Sequence, residues 1–328
     1  MRAAQAAVWT DARQQLPPHL GPSFRVSAAR AAGVGEGRLR GRDLERAFHG
    51  TRSRAVALDD ASPPWVQEAS QLQRRIDEYL TAMPDGSFFT GPTAAFLHGL
   101  PLPSGAHRTI HVGVRHPRTA SRREGVTGIQ ILPRMAGVTT IAGMAVTDVA
   151  TTWASLGRSL ALYDLVAVAD AILRIPRHPG GFCPPSGPAL ASVDELAARL
   201  VSGRWRGART LREALDRART GASSRPETWM RLVLTDAGLP EPALDHDVFG
   251  AYGAFLGCSE LAYPREKVAI EYESDGHLTR AQLERDIDKY TDYAAAGWRT
   301  IRVTSSHVFR HPREVVRRVG AALRASSV

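Results

Sequence analysis

The chain has 328 residues, of which 43% are hydrophobic and 23% charged, with a formal net charge of +9, the composition of an ordinary globular protein able to bury more than one core. No apolar run approaches the ~20 residues that span a bilayer, and Asp11 and the pair Pro17 and Pro18 interrupt the N-terminus before a signal-peptide core can form, so a soluble, cytoplasmic protein is expected. Cys183 and Cys258 are too few and too far apart for a disulfide framework or a zinc site, which fits a reduced compartment.

The positive charge has two readings. Arginines beside phosphates release condensed counterions, so a polyanionic partner such as DNA is one. Arginine-rich solubility is the other, since Lys267 and Lys289 are the only lysines and every other strong base is Arg.

In chain order, residues 1–20 read as a helical lead-in ending at the proline pair. In "FRVSAARAAGVGEGRLRGRDLERAFHG", Ser27 is the expected cap of a helix over Ala28–Ala32. Gly33 breaks that helix, and a second, basic helix begins at "EGRLRGRDLERAF". Helix, glycine turn and basic helix have the form of a helix-turn-helix unit, with Arg38, Arg40 and Arg42 as candidate DNA contacts; two packing helices that touch no DNA are the alternative.

Leu72, Ile76, Tyr79 and Leu80 recur at helical spacing in "VQEASQLQRRIDEYLTAM". Strand-like runs follow at "RTIHVGVRH", "GIQILPR" and "TTIAGMAVTD", then a helical pair broken at Gly157, giving an α+β module over 61–175. His98 and His111 complete no metal-ligand set. A Pro/Gly loop at 175–188 and helices to Ala218 make 176–222 a loop and helical linker.

The last hundred residues carry the chemistry. "SRPETWMRLVLTDAGLP" is a helix with Ser224 as cap and Pro226 and Glu227 in its first turn, ending at Gly238. "AFLGCSELAYPREKVAIEYE" reads as two strands about a turn at 264–266, which sets Glu260 opposite or diagonal to Glu271, with Glu273 on the same face as Glu271. Three converging carboxylates raise one another's pKa. A hard cation, Mg²⁺ or Mn²⁺, removes that cost and equips the site to polarise a phosphodiester. Thr279 and Gln282 form a capping box for a helix from Arg280 to Ala296, on which Arg285 and Lys289 share a face where a cation would neutralise phosphate or orient water. Asp275 serves the turn with Gly276, and Trp298 opens a strand as a core residue. "HPREVVRRVGAALRA" closes the chain as an amphipathic helix.

Ser224, Glu227 and Arg231, then "GLP", "ELAYP", "EYESDGH", "DIDK" and "GWRTIR", follow in an order that resembles the Vsr-like branch of the restriction-endonuclease-like PD-(D/E)XK fold. The resemblance covers nearly all of 223–325. It implies a mixed sheet flanked by helices and a metal-dependent endonuclease, a hydrolase of DNA phosphodiesters. By that resemblance Glu260, Glu271 and Glu273 are the metal candidates and His277 is a proton shuttle or phosphate contact. Glu260 stands where the pattern has Asp. Glu273 stands where many nucleases carry a lysine, for which Lys289 or Arg285 would substitute; Arg302 is a further candidate DNA contact.

Residues 20–175, through "FRVSAARAAGVGEGRLRGRDLERAFHGTR", "TGPTAAFLHGLPLP" and "GMAVTDVATTWASL", are similar to AbiEi-type antitoxins of type IV toxin–antitoxin systems. That similarity implies a degenerate winged-helix end that binds operator DNA, and an α+β domain that counteracts a nucleotidyltransferase toxin. Of a β-wing only "AFHGTR" is visible. The expected class is therefore a multidomain α/β and α+β protein: a helical helix-turn-helix-like segment at 1–55, the α+β module at 61–175, the linker at 176–222 and the nuclease-fold domain at 223–328. Its two readings are a DNA endonuclease with a targeting or regulatory half, and a non-catalytic, antitoxin-like transcriptional regulator.

Overall fold

The computed structural model describes residues 15–55, 62–106, 108–273 and 280–326. The chain is mixed α/β and divides into two compact units, one of residues 1–89 and 104–131, the other of 90–103 and 132–328. These boundaries cut through the expected module at 61–175. No helix among the described residues is long and apolar enough to cross a membrane.

The first unit opens with β1 (Ser23–Arg25), α1 (Val26–Ala31), α2 (Glu36–Leu39), β2 (Leu44–Glu45) and β3 (Thr51–Arg54). The three strands pair antiparallel in the order β1-β3-β2, so a hairpin follows the helix pair where the sequence showed only "AFHGTR". Two expectations are corrected here. α1 starts after Arg25 without a side-chain cap, rather than at a Ser27 cap. The basic helix stops at Leu39, and the stretch expected to continue it turns at Gly41 and becomes β2. The cause is tertiary: Leu39 packs with Leu16, Leu20, Phe24 and Ala29 in a small core, and the next residues pair with β3.

α3 (Pro64–Leu80) buries Leu72, Ile76 and Tyr79, as its spacing predicts, while Leu80 stays exposed. The unit continues with β4 (Ser87–Phe89), β5 (Ile110–Arg115) and β6 (Val126–Ile131), β4 antiparallel and β6 parallel to β5.

The second unit begins with α4 (Gly91–Leu97) and the hairpin β7 (Val138–Ile141) and β8 (Met144–Thr147). Its turn is Ala142 and Gly143, both at positive φ, the conformation that two-residue hairpin turns require. α5 (Val149–Leu156), α6 (Leu162–Leu173), α7 (Val193–Val201) and α8 (Ala208–Arg217) form a helical layer. Trp153, Leu165, Leu196, Leu200 and Leu211 share one buried core. Within the expected loop and helical linker at 176–222, α7 and α8 contribute apolar faces to that core.

The last segment contains α9 (Arg225–Asp236), β9 (Ala243–Phe249), β10 (Phe255–Tyr263), β11 (Val268–Glu273), α10 (Arg280–Ala295), β12 (Arg299–Thr304), α11 (Ser305–Phe309) and α12 (Pro312–Ser326). The sheet order is β12-β11-β10-β9, antiparallel except for the parallel pair β11 and β12. Each face has its own core. Met230 and Leu234 of α9 and Val315 and Val319 of α12 cover Leu261, Ile270 and Val303. On the other face Tyr293 of α10 and Trp298 join Val248, Ala262 and Ala269. Trp298 is core, as its sequence context predicts. β9 and α11 have no counterpart in the sequence reading: the run from Ala243 to Phe249 carries three charged or imidazole side chains that mask its strand pattern, and α11 is a single short turn after β12.

Candidate functional site

The site grows from the β10–β11 hairpin. Its register pairs Leu261 with Ile270 and Tyr263 with Val268, and one further step sets Glu260 across from Glu271. The Glu260 carboxylate accepts the Tyr272 backbone N–H at 2.7 Å. Burial, then the charge of Glu227 and, to a lesser degree, that of Glu271, push the Glu260 pKa up to about 8 against that hydrogen bond.

Glu271 is buried, 5% exposed. Its Oε2 accepts a hydrogen bond from Lys289 Nζ at 3.0 Å, across from α10. Burial raises its pKa while Lys289 opposes the rise. Lys289 also lies 5.6 and 5.4 Å from the ring centres of Tyr290 and Tyr293, a cation–π cradle that fixes the ammonium. A lysine of the following helix thus stands beside the acid-bearing strand.

Glu273 is held differently from the expected third ligand. Its Oε1 accepts from Arg302 Nε at 2.5 Å and from the Tyr290 hydroxyl at 3.1 Å. Burial favours its neutral form, but the Arg302 guanidinium outweighs that and lowers its pKa. Among the described residues no group of three or more His, Cys, Asp or Glu side chains is placed to hold a metal ion. In the structure Glu273 is an ion-pair partner of Arg302.

The carboxylate that joins Glu260 is Glu227, read in the sequence as a first-turn residue and a member of the motif series, with no place among the metal candidates. It is 4% exposed and takes hydrogen bonds from the Ser223 N–H at 2.7 Å and the Ser224 hydroxyl at 2.8 Å. Burial raises its pKa against those bonds. A buried acid in a first helical turn, three residues after a serine, reads as a capping box, so its second role is invisible until β10 is set beside α9.

The remaining candidates are dispersed. His277 and Asp275, with the Thr279 cap, lie outside the described residues. Arg38 is paired with Asp43 at 2.6 Å, while Arg40, Arg42 and Arg285 are exposed. Arg302 remains half exposed beside Glu273. His98 contacts the Thr147 carbonyl and His111 the Thr109 carbonyl. Arg231, conspicuous in the sequence pattern, is a core strut: it is 2% exposed and bonds buried Asp170 of α6 at 2.9 Å.

A hard divalent cation suits the pair Glu260 and Glu271. Both are oxygen donors whose ionised forms are penalised by burial, and Glu271 Oε1 is enclosed without a partner among the described residues. Ions such as Mg²⁺ bind through one or two carboxylates while keeping several waters.

No protein-family model matches the chain, and no solved structure matches it. It is similar to two uncharacterized proteins of Mycobacterium tuberculosis, one from strain CDC 1551 and one from strain H37Rv. Each is 28% identical over 233 residues, covering 70% of this chain and 79% of the relative.

Proposed function

We propose that residues 223–328 are a metal-dependent DNA endonuclease of the PD-(D/E)XK type and that residues 1–55 contribute DNA targeting. The observation that carries the reading is the pair of half-buried Glu260 and buried Glu271, with Glu227 beside Glu260 and the Lys289 ammonium 3.0 Å from Glu271. The order helix, three strands, helix, strand, helix around a mixed sheet supports it as well.

Glu260 and Glu271 would hold Mg²⁺ or Mn²⁺, which when bound supplies polarisation of the phosphodiester and a lowered pKa for the attacking water. Lys289 keeps one oxygen of Glu271 oriented and offsets its charge while the other stays available. Arg302 and Arg285 would contact the DNA backbone, and His277 would serve as a proton shuttle or phosphate contact. The test is incubation of supercoiled and mismatched DNA with Mg²⁺ or Mn²⁺. The expected result is cleavage by the wild type and a loss of about 10²-fold or more in Glu271→Gln, the scale of removing a group that stabilises the reacting centre; equal rates would refute the site.

A second reading, a non-catalytic antitoxin-like regulator that opposes a nucleotidyltransferase toxin, is favoured by one observation: no three-donor cation site is assembled among the described residues. Metal-independent promoter binding without cleavage would select it.

A further inference from the structure

The three-stranded sheet of the first unit turns a polar row toward α3. Its register sets Ser53 of β3 between Ser23 of β1 and Glu45 of β2, and residues paired directly across strands project from one face. Arg25, two residues on from Ser23 and so on the same face, donates to the Thr81 carbonyl just after α3 at 2.6 Å. Phe24, on the opposite face, packs in the small core with Leu39.

α3 meets that row with polar side chains. Leu72, Ile76 and Tyr79 take one stripe of the helix into the protein interior, while Gln67, Gln71, Arg74 and Glu78, spaced three and four apart, form a second stripe. A cavity of about 710 Å³ is lined by the serine and glutamate row and by this second stripe, a volume within the range of small-molecule sites. Ser70 and Gln71 are exposed, so it opens to solvent there. Ser53 is 2% exposed, and its hydroxyl has no hydrogen-bond partner among the described residues. A buried hydroxyl left unpaired costs free energy, and the cavity that Ser53 lines is where a partner can reach it.

Charge selects the class of occupant. Arg54, Arg74 and Arg75 border the cavity together with Glu45, Asp77 and Glu78, so the formal charges cancel. The cations are also engaged. Arg74 pairs with Glu45 at 2.5 Å and with Glu78 at 3.0 Å. Arg75 donates to the carbonyls of Arg108 and Gly125 at 2.5 and 3.1 Å, and Arg54 to that of Gly21 at 3.5 Å. A phosphate would have to displace these partners. A glutamine amide instead presents a donor beside an acceptor, the pattern that matches the edge of a nucleobase, and serine hydroxyls suit the hydroxyls of a sugar.

We propose that this cavity binds an uncharged nucleoside, with the Ser53 hydroxyl and the Gln71 amide among its contacts. All the lining residues belong to the first unit, so occupancy does not depend on whether residues 223–328 cleave DNA.

The experiment is calorimetric titration of the full chain with adenosine, guanosine, cytidine and thymidine, each beside its 5′-monophosphate, and with ribose and deoxyribose alone. Wild type is compared with Ser53→Ala and Gln71→Ala. At least one nucleoside is expected to bind, its monophosphate no more tightly, and each variant about tenfold more weakly, the scale of one lost hydrogen bond. Without ligand, Ser53→Ala should keep the wild-type denaturation midpoint, because its hydroxyl has no bond to lose; if the midpoint falls, the exposed position Gln71 decides alone. Binding of no nucleoside overturns the site, and so does unchanged affinity in the deciding variants. A monophosphate that binds tenfold tighter, or a sugar that binds as well as its nucleoside, overturns the ligand class.

Discussion

Glu260 carries a stability consequence that its neighbours fix. Its pKa is raised to about 8 from an ordinary 4.5, first by burial and then by Glu227. Between those values the folded protein binds a proton that the unfolded chain has released, so stability falls as pH rises through this window and is flat below it. Each pKa unit corresponds to about 1.4 kcal/mol. The unfolding free energy of the wild type should therefore drop by a few kcal/mol more between pH 5 and pH 8 than that of Glu260→Gln, measured by denaturant titration across that range. At pH 8, Mg²⁺ should restore part of the difference in the wild type and none in the variant. Equal slopes for the two proteins would show that Glu260 is not held in a charge-averse place.

At the scale of elements, α9 does two things with one first turn. Ser224 accepts the Glu227 N–H at its cap and donates to the Glu227 carboxylate, which both starts the helix and supports a buried acid beside β10. Ser224→Ala removes both contacts. The expected cost is about 1 kcal/mol for the cap, with a further rise in the Glu227 pKa; chemical denaturation at pH 5 and pH 8 separates the two, since only the second depends on pH. Element reading succeeded best in this region. The hairpin of β10 and β11, α9 and α12 follow their alternation and helical spacing closely. It failed at β2, where arginine-rich residues have helical propensity but sheet pairing with β3 decides. It failed again at β9, whose alternation is hidden by Asp245, His246 and Asp247. The reason is visible in space: Arg177, from the loop between α6 and α7, bonds both aspartates, at 2.7 and 2.8 Å, so charges that look like a solvated turn sit on a strand with partners.

For the whole molecule, the net charge of +9 bears on association with DNA. Exposed Arg40 and Arg42 follow a short helix pair and precede the β2–β3 hairpin. If this segment contacts phosphates, the Arg40→Ala, Arg42→Ala double variant should weaken binding uniformly across DNA sequences and reduce the slope of log K against log salt by about 2, roughly one per phosphate contact. Arg38→Ala should change the slope less, because Arg38 is already paired with Asp43. Fluorescence anisotropy over a range of salt concentrations measures both. What the sequence by itself determined is local: the acid-bearing strand, its hairpin register, the capped helices and the absence of any long apolar run. The tertiary structure decided which of the carboxylates matter together. Glu227 reaches Glu260, Lys289 reaches Glu271 and Arg302 pairs with Glu273. Those assignments depend on distances between segments far apart in the chain and on burial, which sets the cost of each charge, and neither quantity is written in the order of the residues.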